Sequence, residues 1–488
     1  MRFFEFQNCI SSRRACGYLV LIFLVAMFLS WPALARGNFE GPGEKPVNSE
    51  GLAEPAHPTE ESHEPAVHVS DWDPQLWSVS GFALMLLSIA VIPLVSHRWW
   101  ESNRNKAIIT LLLAIPFGAY IINNDPHALF HELHEYTSFI VLLTALFVIS
   151  GGIYLHGNIH CKPINNTVFL AIGTVLASFI GTTGAAMLFI RPLLSNNSER
   201  KHVMHTVIFF TFLVANIGGS LTPLGDPPLF MGYLRGVPFL WTFRLWKMWL
   251  PTSLIVLLLY FIVDNYFWKK ETEEARYWDE TYQIPLRLHG KINFLWLLGV
   301  VAIIFFSVPT PWRELGMLAL CVISWLTTPS GVREAQKFTW NPIIEVAVLF
   351  FGIFVTMVPA LQILRIHGAE LGVTAPWHFF WITGALSSFL DNTPTYLVFL
   401  SLAEGLKLPP EVTLITGGGI SHIILEAISC GAVFMGAMTY IGNGPNFMVK
   451  AIAEDNSIKM PSFFGFMLWS IGFLVPIFII LNLAFFRG

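Results

Sequence analysis

The chain has 488 residues, 54% of them hydrophobic and only 12% charged, whereas soluble domains carry about 25% charged residues. Its formal net charge of −4 and the absence of any Lys/Arg-rich tract exclude a nucleic-acid partner. Five widely spaced cysteines with no C-x-x-C exclude a disulfide or zinc framework.

Taken in chain order, Arg13 and Arg14 precede an apolar run from Tyr18 to Phe28, and Ala33-Leu34-Ala35 follows. This reads as a signal peptide over 1–35, cleaved before Arg36, with an uncleaved first membrane helix as the alternative. Residues 36–70 are rich in Glu, Pro, Gly and His, including His57, His63 and His68. They lack apolar periodicity and read as a disordered extracytoplasmic tail.

Beyond them the apolar residues gather in stretches near the roughly 20 residues that a helix needs to cross a bilayer. Plain spans are expected near 75–95, 106–122, 135–155, 243–267, 291–308, 312–328, 340–362 and 462–486. Four further apolar regions are interrupted. Region 167–195 breaks at Gly181-Thr182-Thr183-Gly184. Region 203–236 breaks at Gly218-Gly219 and again at Pro223-Leu224-Gly225-Asp226-Pro227-Pro228. Region 376–403 breaks at Asp391-Asn392-Thr393-Pro394. Region 412–450 breaks at Gly436 and again at Gly442-Asn443-Gly444-Pro445.

The order repeats: three plain spans, an interrupted segment, a broken segment and a plain span, in 75–267 and again in 291–486, with a cytoplasmic linker over 268–290. The breaks align in sequence. Ser178-Phe179 matches Ser388-Phe389 at a shift of 210, which sets Gly181 opposite Asp391. His205, Thr222, Gly225, Pro228, Phe230 and Met231 match His422, Thr439, Gly442, Pro445, Phe447 and Met448 at a shift of 217, which sets Asp226 opposite Asn443. If each interrupted segment is a re-entrant hairpin, each half crosses five times and the second half is inverted. Paired interruptions in inverted repeats point to a transporter's binding site. Arginines and lysines favour the predicted cytoplasmic loops by about two to one, although Arg235, Arg244 and Lys247 fall on the outer side.

An interrupted helix in lipid frees backbone groups that must be satisfied inside protein or beside a water-filled cavity. Freed carbonyls with Thr, Asn and Asp oxygens suit a hard cation such as Na⁺. The candidates are Thr182, Thr183, Asn216, Thr222, Asp226, Asp391, Asn392, Thr393, Thr439 and Asn443. The bland alternative is capping and turn formation. Four breaks in two matched pairs favour binding, and Asp226 and Asp391 lead because an ionisable residue at membrane depth is costly. If each tip meets the broken helix of its own half, two pseudo-equivalent sites result, with one carboxylate each. His422 and Glu426 share a helix face and form either a proton relay, with His205 as first-half counterpart, or a structural pair. Arg191 either anchors the first hairpin or meets an anion. His131-Glu132-Leu133-His134-Glu135 does not fit the zinc pattern H-E-x-x-H and reads as an outer loop. No nucleotide-binding motif or catalytic constellation is present, so no enzyme activity and no cofactor are expected.

At these motifs the chain resembles the ion transporter superfamily, in particular its NhaD-type sodium:proton antiporters with a citrate-transporter-like domain. The stretches that carry the resemblance are Ser178–Ala186, Asn216–Pro228 and Ser388–Thr395, and it extends over roughly residues 75 to 486. The resemblance implies an all-α polytopic membrane protein of two inverted repeats, each with three plain spans, a re-entrant hairpin, a broken helix and a final span. It implies cation sites at the hairpin tips and a homodimer with a scaffold and a moving transport part; the signal peptide and the order of spans give the expected location, a bacterial inner membrane with the mature N-terminus outside. The expected function is exchange of Na⁺ or Li⁺ for H⁺. The alternatives are a Na⁺- or H⁺-coupled carrier of citrate, another carboxylate or arsenite, and a non-transporting subunit or metal sensor. The first tip reads Gly-Thr-Thr-Gly, without the Asn of the family's Ser-Asn-Thr tips, which weakens a dicarboxylate reading.

Overall fold

The computed structural model describes residues 72–157, 160–273 and 285–487. The signal peptide, the His-rich tail, Cys9, Cys16 and part of the linker lie outside them. Three plain helices open the first half: α1 (Ser80–Val95), α2 (Asn103–Asn124) and α3 (Pro126–Ser150). Then come α4 (Pro163–Ile180), α5 (Thr182–Asn196), α6 (Met204–Leu213), α7 (Pro227–Leu234) and α8 (Trp246–Trp268). The second half repeats this order as α9 (Ile292–Phe305), α10 (Trp312–Thr327), α11 (Asn341–His367), α12 (Pro376–Phe389), α13 (Asn392–Gly405), α14 (His422–Met435), α15 (Gly444–Asp455) and α16 (Phe463–Phe485).

Among the described residues seven helices are long and apolar enough to cross a membrane, and the outward surfaces agree. On α8 the exposed side chains Leu250, Leu254, Leu258 and Ile262 recur every fourth residue. An apolar stripe of that size is unsuited to water and suits lipid. The chain is a multi-pass membrane protein.

The helices sort into two packed groups. The plain helices of both halves pack together: α2 and α3 against α11, α10 against α3 and α9. The interrupted elements form the other group with α8 and α16: α4 lies against α5 and α8, and α12 and α13 against α14. The groups meet where α13 touches α11, and where α3 touches α5 and α7.

Three expectations are corrected. The all-α fold carries two small antiparallel sheets. Strands β1 (Tyr154–His156) and β2 (Arg287–His289) pair, as do β3 (Val412–Thr413) and β4 (Gly419–Ile420). The third span starts at Pro126, not near 135, because the Asp125 side chain accepts the Ala128 N–H at 3.0 Å and caps the helix while Pro126 occupies its first position. His131–Glu135 is therefore part of α3 and not an outer loop. Glu132 and Glu135 are buried in ion pairs with Arg235, at 2.6 and 2.8 Å, so Arg235 enters the interior as a neutralised group.

Candidate functional site

Each interrupted segment has a local cause. Helix α4 stops at Ile180 because Gly181 adopts φ +81°, a conformation that glycine alone enters without strain. Helix α5 restarts at once, and its far end returns to the start of α4, where Asn166 and Asn197 exchange hydrogen bonds of 2.8 and 3.1 Å. The segment is thus a hairpin. The second hairpin turns without a positive φ. Leu390 and Asp391 are extended, and the Asp391 carboxylate accepts the Thr393 N–H at 3.0 Å to cap α13. Phe379 near the start of α12 lies edge-on to Phe399 near the end of α13, at 6.4 Å.

The broken helices resume at matching points. Asp226 precedes α7 and Asn443 precedes α15, both in extended backbone followed by proline at the first turn. Their contacts with the hairpins repeat. The Thr222 hydroxyl donates to the Ser178 carbonyl, and the Thr439 hydroxyl donates to the Ser388 carbonyl. The same hydroxyls accept the N–H of Leu224 and of Ile441, each at 3.2 Å. The backbones cross closely at Gly219 with Gly225 and at Gly436 with Gly442. A Cβ on Gly225 would lie 2.1 Å from the Gly219 carbonyl, and one on Gly442 would lie 2.6 Å from that of Gly436.

The tips and breaks then converge across the two halves. The Thr182 hydroxyl donates to Asp226 Oδ1 at 2.8 Å, Asn392 Nδ2 donates to Oδ2 at 2.6 Å, and Asn443 Nδ2 donates to Oδ1 at 3.1 Å. Thr182 and Asn392 are aligned partners, and so are Asp226 and Asn443. Two sites with one acid each do not describe this arrangement: both halves contribute to one cluster around Asp226. Asp226 is 1% exposed, Asn392 0% and Asn443 2%. Every side chain that bonds the carboxylate is neutral. Asn216 is drawn in through Asn443, at 3.3 Å. Thr393 is buried and donates to the Asn392 side chain at 3.4 Å. Thr222 and Thr439 brace the hairpin backbones, Thr183 is half-buried at the start of α5, and Asp391 sits at the cap of α13.

The histidines lie away from this cluster. His205 Nε2 contacts Asp264 Oδ1 at 2.7 Å, and Arg200 bonds the same carboxylate at 2.5 Å. This buried network ties the base of the first hairpin to the C-terminal end of α8, with Asn166 reaching Asp264 at 3.4 Å. His422 accepts the Trp241 indole N–H at 2.9 Å, and Glu426 pairs with Arg244 at 3.2 Å, both in the segment that leads into the N-terminal end of α8. Arg191 donates to the Gln336 carbonyl at 3.2 Å.

Two residues with central contacts escaped the sequence reading. Asp264 carried a signal, as a lone acid inside the apolar run of α8. Asn446 carried none from the repeat, because its aligned residue is Leu229. It is fully buried and bonds Asn216 at 2.7 Å.

Comparison with known proteins agrees with this architecture. The family model described as "Putative citrate transport" matches residues 72–486, which is most of the chain. The chain belongs to this citrate-transport family. It is also similar to the P protein of Mus musculus, 23% identical over 213 residues, and to the P protein of Sus scrofa, 22% identical over 221 residues. Each match covers 39% of this chain and 25% of the relative, so the chain matches about a quarter of the length of these relatives. The description of this family is one of membrane transport.

Proposed function

We propose that this carrier exchanges Na⁺, or Li⁺, for H⁺ across a bacterial inner membrane by alternating access, with Asp226 as the group that takes either ion. The observation that carries the reading is the Asp226 cluster: one buried carboxylate, held by neutral hydrogen bonds, where the breaks of both halves meet. A buried ionised carboxylate without a counter-charge is costly. It is relieved by a proton or by a small cation, and not by both at once. Carboxylate, amide and hydroxyl oxygens suit a hard cation, and the side chains that now donate to Asp226, Thr182, Asn392 and Asn443, each carry such an oxygen next to it, with Asn216 one contact further out. Asp391, Thr183, Thr222, Thr393 and Thr439 complete the proposed cation-binding set at the tips and breaks.

Exchange by alternating access also needs two halves that face opposite sides, and the contacts support an inverted repeat. The base of the first hairpin and His205 meet the C-terminal end of α8. His422, the counterpart of His205, meets the segment at the N-terminal end of α8. The second hairpin's end lies on that side too: Glu404 bonds Thr416, and Ile415 donates to the Arg235 carbonyl. Helix α8 has 23 residues, about 34 Å, so equivalent elements start a membrane's width apart. A homodimer with a moving group of interrupted helices, and a proton path through His205, His422 and Glu426, belong to the same proposal.

The second reading is a cation-coupled carrier of citrate-like anions, favoured by the family match. Against it stands the charge of the site. The anion-binding candidate Arg191 lies nine residues along α5 from Thr182, about 13 Å, and is engaged with Gln336, and Arg235, nine residues from Asp226, is paired with Glu132 and Glu135. Dequenching of a pH-sensitive dye in everted vesicles, scanned over Na⁺, Li⁺ and K⁺, tests the exchange reading. Dequenching by Na⁺ and Li⁺ is expected. No response to any cation, together with counterflow of labelled citrate, would replace exchange by anion transport.

A further inference from the structure

We propose that Asn446 is a positioning residue for this exchange, which fixes through a one-way chain of side-chain amides the direction in which Asn443 meets Asp226. The inference rests on the exchange reading above and names a control over it that the repeat does not predict.

The chain follows from which groups can only accept. The carbonyls of Gly436 and Thr439 each lie 2.8 Å from Asn446 Nδ2. A carbonyl cannot donate, so both amide hydrogens of Asn446 are used there and its Oδ1 is turned toward Asn216. Asn216 answers with Nδ2 at 2.7 Å, and its other hydrogen goes to the Thr211 carbonyl at 2.8 Å. That leaves Asn216 Oδ1 facing Asn443. Asn443 Nδ2 lies 3.3 Å from this oxygen, 3.0 Å from the Ala215 carbonyl and 3.1 Å from Asp226 Oδ1. A flip of any amide in the series would set oxygen against oxygen in a buried interior. Asn446 and Asn216 are fully buried and Asn443 is 2% exposed, so no solvent would relieve it.

The chain is not what holds the break together. The other half makes the same hydroxyl-to-carbonyl bond between hairpin and broken helix, yet at the shift of 217 Leu229 stands opposite Asn446 and Val433 opposite Asn216. Both are buried apolar residues. One half has a wired amide series and the other has hydrocarbon at the equivalent positions.

The consequence is chemical. An N–H donor aimed at a carboxylate favours its ionised form, which is the form that binds a cation. The groups that face Asp226 are Thr182 from the first hairpin, Asn392 from the second and Asn443 from the second broken helix, all neutral. Asp391, at the cap of α13 and one residue before Asn392, is the nearest acid in the second hairpin's turn. Without the fixed donor, the balance at Asp226 moves from cation toward proton.

The test is Asn446→Leu, the residue the other half carries, assayed by dye dequenching in everted vesicles beside the parent chain. The apparent KM for Na⁺ rises about tenfold, the pH optimum moves upward, and the maximal rate at saturating Na⁺ stays within about twofold. Asn446→Ala cuts the chain at the same link with a smaller side chain and gives the same pattern, which keeps the test decisive if Asn446→Leu does not fold. Combined with Asn443→Ala, Asn446→Leu adds no further shift, because it acts through Asn443. Unchanged KM and pH profile in folded Asn446→Leu, or effects that multiply with Asn443→Ala, overturn the proposal. Absence of Na⁺-dependent proton movement in the parent chain is a different result and overturns the exchange reading itself.

Discussion

The two crossings of hairpin and broken helix share a framework and differ in charge. On both sides a Thr hydroxyl closes onto a hairpin Ser carbonyl, and a pair of glycines lets two backbones touch. The acid, however, follows Asp226 and not its partner Asn443, and the hairpins turn by different means, Gly181 at positive φ and Asp391 as a cap. The shared contacts are those that satisfy backbone freed inside a membrane, a requirement that is the same in both halves. The charge has no such requirement. One carboxylate serves a cluster to which both halves contribute, and a second at position 443 would sit against it.

Three sets of substitutions strain that comparison. The largest effect is expected from Asp226→Asn, which removes the central acid and lowers cation-dependent proton movement by at least about a hundredfold, the scale of a lost charged contact in a buried site. Moving the acid with Asp226→Asn/Asn443→Asp restores part of the activity if the cluster is a shared one. No restoration would mean that the first half holds the site alone. Next is Gly219→Ala, whose Cβ would lie 2.6 Å from Thr182 Cγ2 and 2.8 Å from the Gly225 carbonyl. It costs about 1–3 kcal/mol in overpacking and shifts the hydroxyl off Asp226. Gly436→Ala, with its nearest contact at 3.0 Å, is milder, and thermal unfolding of the two purified variants ranks them. The smallest effects are at Asp391. Asp391→Asn keeps the cap and removes the charge, whereas Asp391→Ala removes both and costs about 1 kcal/mol of stability. A loss of Na⁺ affinity in Asp391→Asn at unchanged stability assigns Asp391 to the site as well as to the cap.

Much of this was legible in the chain because it is local. The order of spans and the positions of the breaks follow from apolar runs and from Gly, Pro, Asp and Asn at membrane depth. The pairing of Ser178 with Ser388 and of Thr222 with Thr439 followed from alignment alone, and the matched hydrogen bonds give those pairs a physical meaning. The convergence on Asp226 was not legible. Asn392 lies 166 residues from it, and no periodicity encodes a contact between tips of opposite halves. Arg235, set against the charge bias of the loops, is buried against Glu132 and Glu135. A charge-rich stretch read as loop was helix because its partner is a hundred residues away, although Asp125-Pro126 marked the start of α3.

The most direct measurement is the apparent KM for Na⁺ in everted vesicles as a function of pH, in the parent chain and in Asp226→Asn. Competition for one carboxylate predicts that, on the acid side, KM rises about tenfold for each unit that pH falls, the slope of a one-proton equilibrium, while the maximal rate holds. Asp226→Asn shows no Na⁺-dependent signal at any pH. A parent KM independent of pH, or Na⁺-driven proton movement that persists in Asp226→Asn, would contradict the account.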